Sequence, residues 1–468
     1  MGISPNGQNM LLRFSVENYR SFRDRAELSM VPSRVRSHPG QVVKPVNTRD
    51  IGVLKTAVIY GANASGKSNL IKAMQHARTM IVRGNALGRN LAYEPFLLDR
   101  NCLQQPSRFE FEIKYGETNY AYGFVADQKS IHEEWLYRID RQSESPVFER
   151  TLTDGESHFD FSGIRFNSKE DEQFLAFTAK ATPDYRLFLY ECLDRNVVKD
   201  LSYIKALGEV NDWFHEKLNI LFPDTKYHGL EMAVHSADET SQQLSDILKG
   251  FDTGIESLAL KEVDLMLDVP ELPENLKQEV LGTIDEGDAV QISGPHNTRY
   301  QVVRSTNGVV QTFKLMTSHL NNKGEQVQFD INQESDGTQR LLDIAPGLLD
   351  IFSKDKVYIV DEIDRSLHPE ITTSLLNHFL SCTEGVHSQL IMTTHESNLL
   401  NLDNIRRDEI WFTQKERSGS SSLYSLEEYQ ARPDKDIRKG YLVGRYGGLP
   451  MIGSFIKDQK GSTDASRA

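Results

Sequence analysis

At 468 residues the chain exceeds one small domain and is too short to carry long coiled-coil arms. Hydrophobic residues make up 38% and charged residues 26%, a balance expected of a water-soluble globular protein, and no apolar run reaches the length of a membrane span. The formal net charge of −14 opposes duplex-DNA binding, which is largely phosphate neutralisation by Lys and Arg.

The first residues, Met1-Gly-Ile-Ser-Pro-Asn, lack the basic start and apolar core of a secretory signal, and Met10 reads as the natural start. Cys102, Cys192 and Cys382 are scattered, which argues against a disulfide framework or a zinc site and for a reducing cytoplasm. Residues 11–31 read as strands with a turn. The cluster Arg20, Arg23, Arg25, Arg34 and Arg36 reads as a solvated, partly ligand-facing edge. Ala57 to Tyr60 is a short apolar run, predicted as a buried strand, and Asn69 to Arg78 is a good helix sequence. Between them lies Gly61-Ala-Asn-Ala-Ser-Gly66-Lys67-Ser68, a G-x-x-x-x-G-K-S loop in the strand–turn–helix context that such a loop requires. Gly61 and Gly66 let the backbone approach phosphates, and the loop N–H groups face the anion at a helix N-terminus. Lys67 is expected to reach the terminal phosphates and Ser68 to ligate magnesium.

Residues 107–125 alternate as a β-hairpin, and 132–138 and 147–151 continue a β-rich lobe. Residues 168–220 are helical by pattern, with shorter helices near 241–251 and 274–281, and 299–330 read as strands returning to the head. Ser335 and Gly337 open an apolar helix from Leu341 to Phe352, so its N-terminus can face a phosphate. Lys356 to Val360 is a second buried strand, ending in Asp361 and Glu362. A carboxylate pair there suits magnesium binding by Asp361 and water activation by Glu362. A three-carboxylate metal cluster with Asp364, of nuclease type, is the alternative. Gln389 to Thr394 is a third apolar strand, ending in His395, which is placed to sense a terminal phosphate or orient the water.

Taken together, these segments resemble the ABC-type ATPase heads of the SMC, Rad50 and RecF kind. Gly61–Ser68 resembles the Walker A loop, Glu334-Ser335-Asp-Gly337 the signature motif, Val357–Glu362 Walker B, Ile363–Pro369 the D-loop, and His395 the switch histidine. The opening Arg20-Ser21-Phe22 is similar to a step that lies near the nucleotide in those heads. The closing Lys439-Gly-Tyr441-Leu-Val-Gly444-Arg445-Tyr446-Gly447-Gly-Leu-Pro450 resembles that of bacterial AAA15 ATPases found beside defence effectors. Ala64 stands where the family commonly has Gly, and no glutamine is evident for a Q-loop.

The resemblance implies an α/β fold: an ABC-type P-loop ATPase head with a β-rich lobe and a mainly helical insertion. Residues 10–165 and 326–455 would form the split head, 166–325 the insertion, possibly with a short coiled coil, and 456–468 a disordered tail. It implies ATP and Mg2+ as ligands, with Arg20, Asn63, Gly66, Lys67, Ser68, Asn69, Ser335 and Gly337 at the nucleotide. Ser68 and Asp361 would stand at the metal, and Glu362 and His395 at the chemistry. One Walker A loop and one signature motif per chain imply a homodimer or a higher even-numbered homo-oligomer. Among relatives the chain is similar to the ATPase component of PARIS-type anti-phage defence. That implies a TOPRIM-type nuclease as effector, encoded by a neighbouring gene, and a phage protein as trigger. A RecF-like DNA-repair ATPase that binds DNA with ATP is the competing expectation. An appended nuclease domain and a transporter ATPase fit less well: only 73 residues (468 − 395) follow His395, and the transport-type signature is missing.

Overall fold

The computed structural model describes residues 8–84, 91–225, 230, 234, 239–270, 272–294, 298–353, 355–382, 387–429 and 437–448. A six-stranded sheet holds the phosphate-loop strand, Thr56–Gly61, near its centre. Gln389–Thr393 and Ile410–Lys415 flank it in parallel. Val357–Val360 and then Leu218–Leu221 extend one side in parallel, and Ser421–Ser425 closes the other edge antiparallel. Thr56–Gly61, Val357–Val360 and Gln389–Thr393 are buried along their whole length because both faces of the sheet are covered.

Side chains alternate between two cores, as a pleated strand requires. Ala57, Ile59, Val357, Ile359, Ile391 and Trp411 face the first core. Val58, Tyr60, Tyr358, Val360, Leu390, Met392, Ile410 and Phe412 face the second. The helix after the phosphate loop, Lys67–Arg83, packs into the first core through Leu70, Ile71, Met74 and Ile81, all fully buried. Each such side chain contributes about 1.5–3 kcal/mol by leaving water. The second core is closed by the helices Asp336–Ser353 and Pro369–Cys382.

The first core is roofed by a seven-stranded antiparallel sheet. Its order is Glu156–Asp160, Glu144–Thr153, Ile131–Ile139, Thr118–Ala126, Ser107–Tyr115, Asn9–Glu17, Ala26–Ser29. The expected 107–125 hairpin is present in register from Ser107↔Ala126 to Tyr115↔Thr118. Buried Gln389 fastens this lobe to the parallel sheet. Its Oε1 accepts the Leu11 N–H (2.8 Å), and its Nε2 donates to the carbonyls of Leu11 (3.0 Å) and Leu54 (2.9 Å).

The span 166–325 divides in a way that the sequence reading did not anticipate. Helices Lys169–Ala181, Phe188–Asp194 and Lys205–Asp212 belong to the first core. Buried Glu134 of the lobe caps the second of them, accepting N–H groups from Phe188 (2.6 Å) and Leu189 (3.0 Å). Leu218–Leu221, expected as helix, is an edge strand of the parallel sheet. The remainder is not mainly helical. Ser257–Val263, Ala289–Ser293, Arg299–Arg304 and Val310–Leu320, joined by Gln326–Asp330, form a five-stranded sheet. Part of it shares a small core of its own, around Val269, Ile292, Tyr300 and Val302, with the helix Glu274–Thr283. The tail expected at 456–468 lies outside the described residues.

Candidate nucleotide site

The loop between Thr56–Gly61 and Lys67–Arg83 runs through a narrow channel. Gly66 has φ 120°, and a Cβ there would strike the Ser421 side chain and lie 3.2 Å from Ser21 Oγ. A Cβ on Gly61 would overlap Thr413 and sit 2.5 Å from Ser65 Oγ. The channel walls are tied together. Ser65 Oγ and Thr413 Oγ1 share a hydrogen bond (2.6 Å), Asn69 Nδ2 donates to Ser21 Oγ (2.9 Å), and the Ser421 N–H donates to the Ser21 carbonyl (2.7 Å). Asn63 and Ala64 stand exposed at the loop tip, with Ala64 at φ 62°. That left-handed angle is one that glycine adopts without steric cost.

Lys67 is buried at the helix start, and its Nζ donates to the carbonyls of Gly61 (2.7 Å) and Ala62 (3.2 Å). Burial lowers its pKa to about 8, against the opposing pull of Glu362, Asp361 and Asp364. Across the sheet top, Ser68 Oγ donates to Asp361 Oδ1 at 3.2 Å, joining residues 293 apart in sequence. Thr393, fully buried, ties the pair of carboxylates together. Its hydroxyl donates to Asp361 Oδ1 (2.6 Å) and accepts the Glu362 N–H (2.8 Å). Glu362 is held at φ 48°, a left-handed angle that costs a non-glycine residue about 1–3 kcal/mol. Such strain persists only where its surroundings impose it. The D-loop follows, with the Ile363 N–H on the Thr393 carbonyl (3.1 Å). The Asp364 carboxylate accepts the His395 N–H at 3.2 and 3.3 Å. Partial burial and then the charge of Lys67 lower the pKa of the His395 ring, so it is neutral near pH 7.

The remaining expected residues, Arg20, Ser335 and Gly337, meet other partners. Arg20, at φ 49°, forks onto Glu94 at 2.5 and 2.8 Å, and Tyr19 donates its hydroxyl to the same carboxylate (3.0 Å). Ser335 and Gly337 stand beside the D-loop: a Cβ on Gly337 would come within 2.7 Å of the Ser366 carbonyl. Ser335 is exposed, and its Oγ caps its own helix by accepting the Thr338 N–H (3.1 Å). Among the described residues no group of three His, Cys, Asp or Glu is placed to hold a metal ion. Asp361, Glu362 and Asp364 therefore do not converge as the nuclease-type alternative required. Sequence reasoning missed Thr393, Thr413, Ser421 and Glu94. Only a hydroxyl at the end of each apolar strand, Thr393 before His395 and Thr413 in Trp411–Gln414, pointed to the first two.

The donor set fits a nucleoside triphosphate with its magnesium: a glycine-built loop where a Cβ would clash, a buried ammonium, and a hydroxyl–carboxylate pair beside it. Fold and site together define an α/β P-loop nucleotide-binding head of ABC type, with an antiparallel lobe. The family "AAA domain, putative AbiEii toxin, Type IV TA system" matches residues 57–401, and the chain belongs to it. No curated protein matches the chain significantly. Similar solved structures include an SMC head bound to the C-winged helix domain of ScpA (14% identity, 89% of this chain and 97% of that one, TM-score 0.35). Two others are the SMC head domain from Thermotoga maritima and the Pyrococcus furiosus SMC head with an extended coiled coil, bound to the C-terminal domain of ScpA. They are 12% and 13% identical, cover 89% and 93% of this chain and 98% and 99% of theirs, and give TM-scores of 0.33 and 0.34. No described helix is long and apolar enough to cross a membrane.

Proposed function

We propose that the chain is an ATP-binding and hydrolysing switch that closes into a dimer through its nucleotide sites and controls a partner effector. The observation that carries the chemistry is the convergence of Lys67, Ser68, Asp361 and Glu362 at one end of the parallel sheet, with Ser68 hydrogen-bonded to Asp361 at 3.2 Å. The phosphate loop binds the β- and γ-phosphates through backbone N–H groups. Lys67 turns from the Gly61 and Ala62 carbonyls to the terminal phosphate. Ser68 and Asp361 would hold magnesium, which when bound neutralises phosphate charge. Glu362 accepts a proton from the attacking water as its oxygen bonds to the γ-phosphorus and the bond to the β-phosphate oxygen breaks, releasing ADP. His395 orients the water or reads the γ-phosphate.

Ser335 is exposed and lies next to its own D-loop, which supports a role toward a second copy's nucleotide, the partner arrangement that one loop and one signature per chain require. ATP would then favour the closed pair and hydrolysis would loosen it, a timing device rather than a bulk catalyst. The closing glycine-rich motif supports the defence context, with a TOPRIM-type nuclease as effector and a phage protein as trigger. The decisive variants are Lys67→Ala, expected to abolish hydrolysis, and Glu362→Gln, expected to keep ATP and remain dimeric in sedimentation. If Glu362→Gln hydrolyses ATP like the parent, the base assignment is wrong. Co-purification with the neighbouring gene's product tests the effector. DNA affinity that requires ATP and falls with salt would favour the repair reading instead.

A further inference from the structure

The signature motif is fastened to the middle sheet by one compact cluster. Glu334, immediately before Ser335, turns its carboxylate inward, with its side chain 9% exposed. Its Oε1 accepts the Thr317 hydroxyl at 2.5 Å and His319 Nε2 at 2.7 Å. Thr317 and His319 lie two residues apart on Val310–Leu320 and so project from one face of that strand. Neither is free to follow the carboxylate if it moves. Thr317 is fully buried. The His319 ring meets Phe329 edge-on (5.0 Å, 74°), and a Cβ on Gly254 opposite would lie 3.4 Å from its Nδ1. On its other side Glu334 is tied forward, its carbonyl accepting Gln339 Nε2 at 2.9 Å. The residue between these ties is a fixed post, and the next residue is the exposed Ser335.

We propose that Thr317 and His319 are positioning residues for the signature motif. They set where Ser335 and Gly337 stand when these meet the nucleotide of a second copy. A displacement of the middle sheet is thereby converted into a displacement of the signature motif, without touching Lys67 or Asp361 of the same chain. The inference rests on the two-copy reading above, and its test separates the two.

The test uses the full chain carrying Glu362→Gln, with His319→Ala, His319→Gln and Thr317→Val added singly. Loss of a hydrogen bond to a carboxylate corresponds to about tenfold in an equilibrium, so His319→Ala should weaken ATP-dependent dimerisation about tenfold in sedimentation. ATP affinity of the single copy should stay within about twofold, because the phosphate loop is untouched. Amide exchange of residues 336–339 should accelerate about tenfold in His319→Ala through easier local opening. His319→Gln, whose amide can donate to Glu334, should restore both readings, and Thr317→Val should behave as His319→Ala does. Unchanged exchange in folded His319→Ala and Thr317→Val would overturn the proposal, as would failure of a folded His319→Gln to restore it. If His319→Ala does not fold, Thr317→Val and His319→Gln carry the same two outcomes. If the Glu362→Gln parent never dimerises, the two-copy reading fails, and amide exchange alone decides the positioning role.

Discussion

Thr393→Val removes one hydroxyl at nearly constant volume and isolates what holds the acidic pair in place. The parent hydroxyl donates to Asp361 Oδ1 at 2.6 Å and accepts the Glu362 N–H at 2.8 Å, in a fully buried setting. Loss of the bond to a carboxylate costs about 1.5–3 kcal/mol, and the N–H left without its partner about 1–3 kcal/mol. The variant gains back part of this if Glu362 leaves its left-handed angle, which releases about 1–3 kcal/mol of strain. A net destabilisation of about 2 kcal/mol follows from these opposing terms. The relaxation is what harms turnover: a shift of about 1 Å in a proton acceptor can cost about 100-fold. ATP affinity should change little, because Lys67 and the loop keep their partners. The assay is steady-state ATP hydrolysis alongside ATP titration and urea unfolding, with Thr393→Ser as the variant that keeps the hydroxyl. A Thr393→Val protein that is destabilised yet turns over within twofold of the parent would refute the claim that Thr393 sets the Glu362 geometry.

Two further outcomes follow from the loop. Because burial holds Lys67 at about 8 in the free protein and a bound phosphate raises it, binding takes up a proton above that pH. ATP affinity should therefore be flat from pH 7 to 8 and fall toward tenfold per unit above it in calorimetric titrations. Lys67→Arg, which stays charged, should lose that slope whatever its absolute affinity. Gly66→Ala forces φ 120° on a residue with a Cβ and drives that Cβ onto Ser421, so ATP binding should weaken at least tenfold. Adding Ser421→Gly relieves the overlap but not the dihedral, and an ATP titration of the double variant should recover only a small part.

The legible parts of the molecule were those whose chemistry is local in sequence. Gly61–Ser68 between an apolar strand and a helix, and Val357–Val360 ending in two acids, announce themselves because backbone freedom and strand burial leave compositional traces. Thr393 left almost no trace, since a threonine inside an apolar strand is an ordinary β-former and its meaning comes from Asp361, 32 residues earlier. Leu218–Leu221 was hidden for a related reason. It is four residues long, follows a π-helical turn at Trp213–Lys217, and its spacing with Val210 and Phe214 continues a helical period. Its partner strand begins only at Val357, so nothing nearby marks it as a strand. Glu334 read as part of a motif, but that its carboxylate points back to Thr317 and His319 follows only from the middle sheet's registry.

The placement of Thr56–Gly61 between Gln389–Thr393 and Ile410–Lys415 bears on synthesis as well as on the finished molecule. The phosphate loop leaves the ribosome before both strands that sandwich its own strand, which are encoded more than 300 residues later. At about 5–20 residues per second, roughly 15–65 s separate the emergence of Gly61 from that of its first neighbour. Through that interval Thr413 and Ser421, which close around the loop glycines, do not yet exist. In translation the phosphate loop therefore precedes both the strands that sandwich it and the two side chains that close around its glycines.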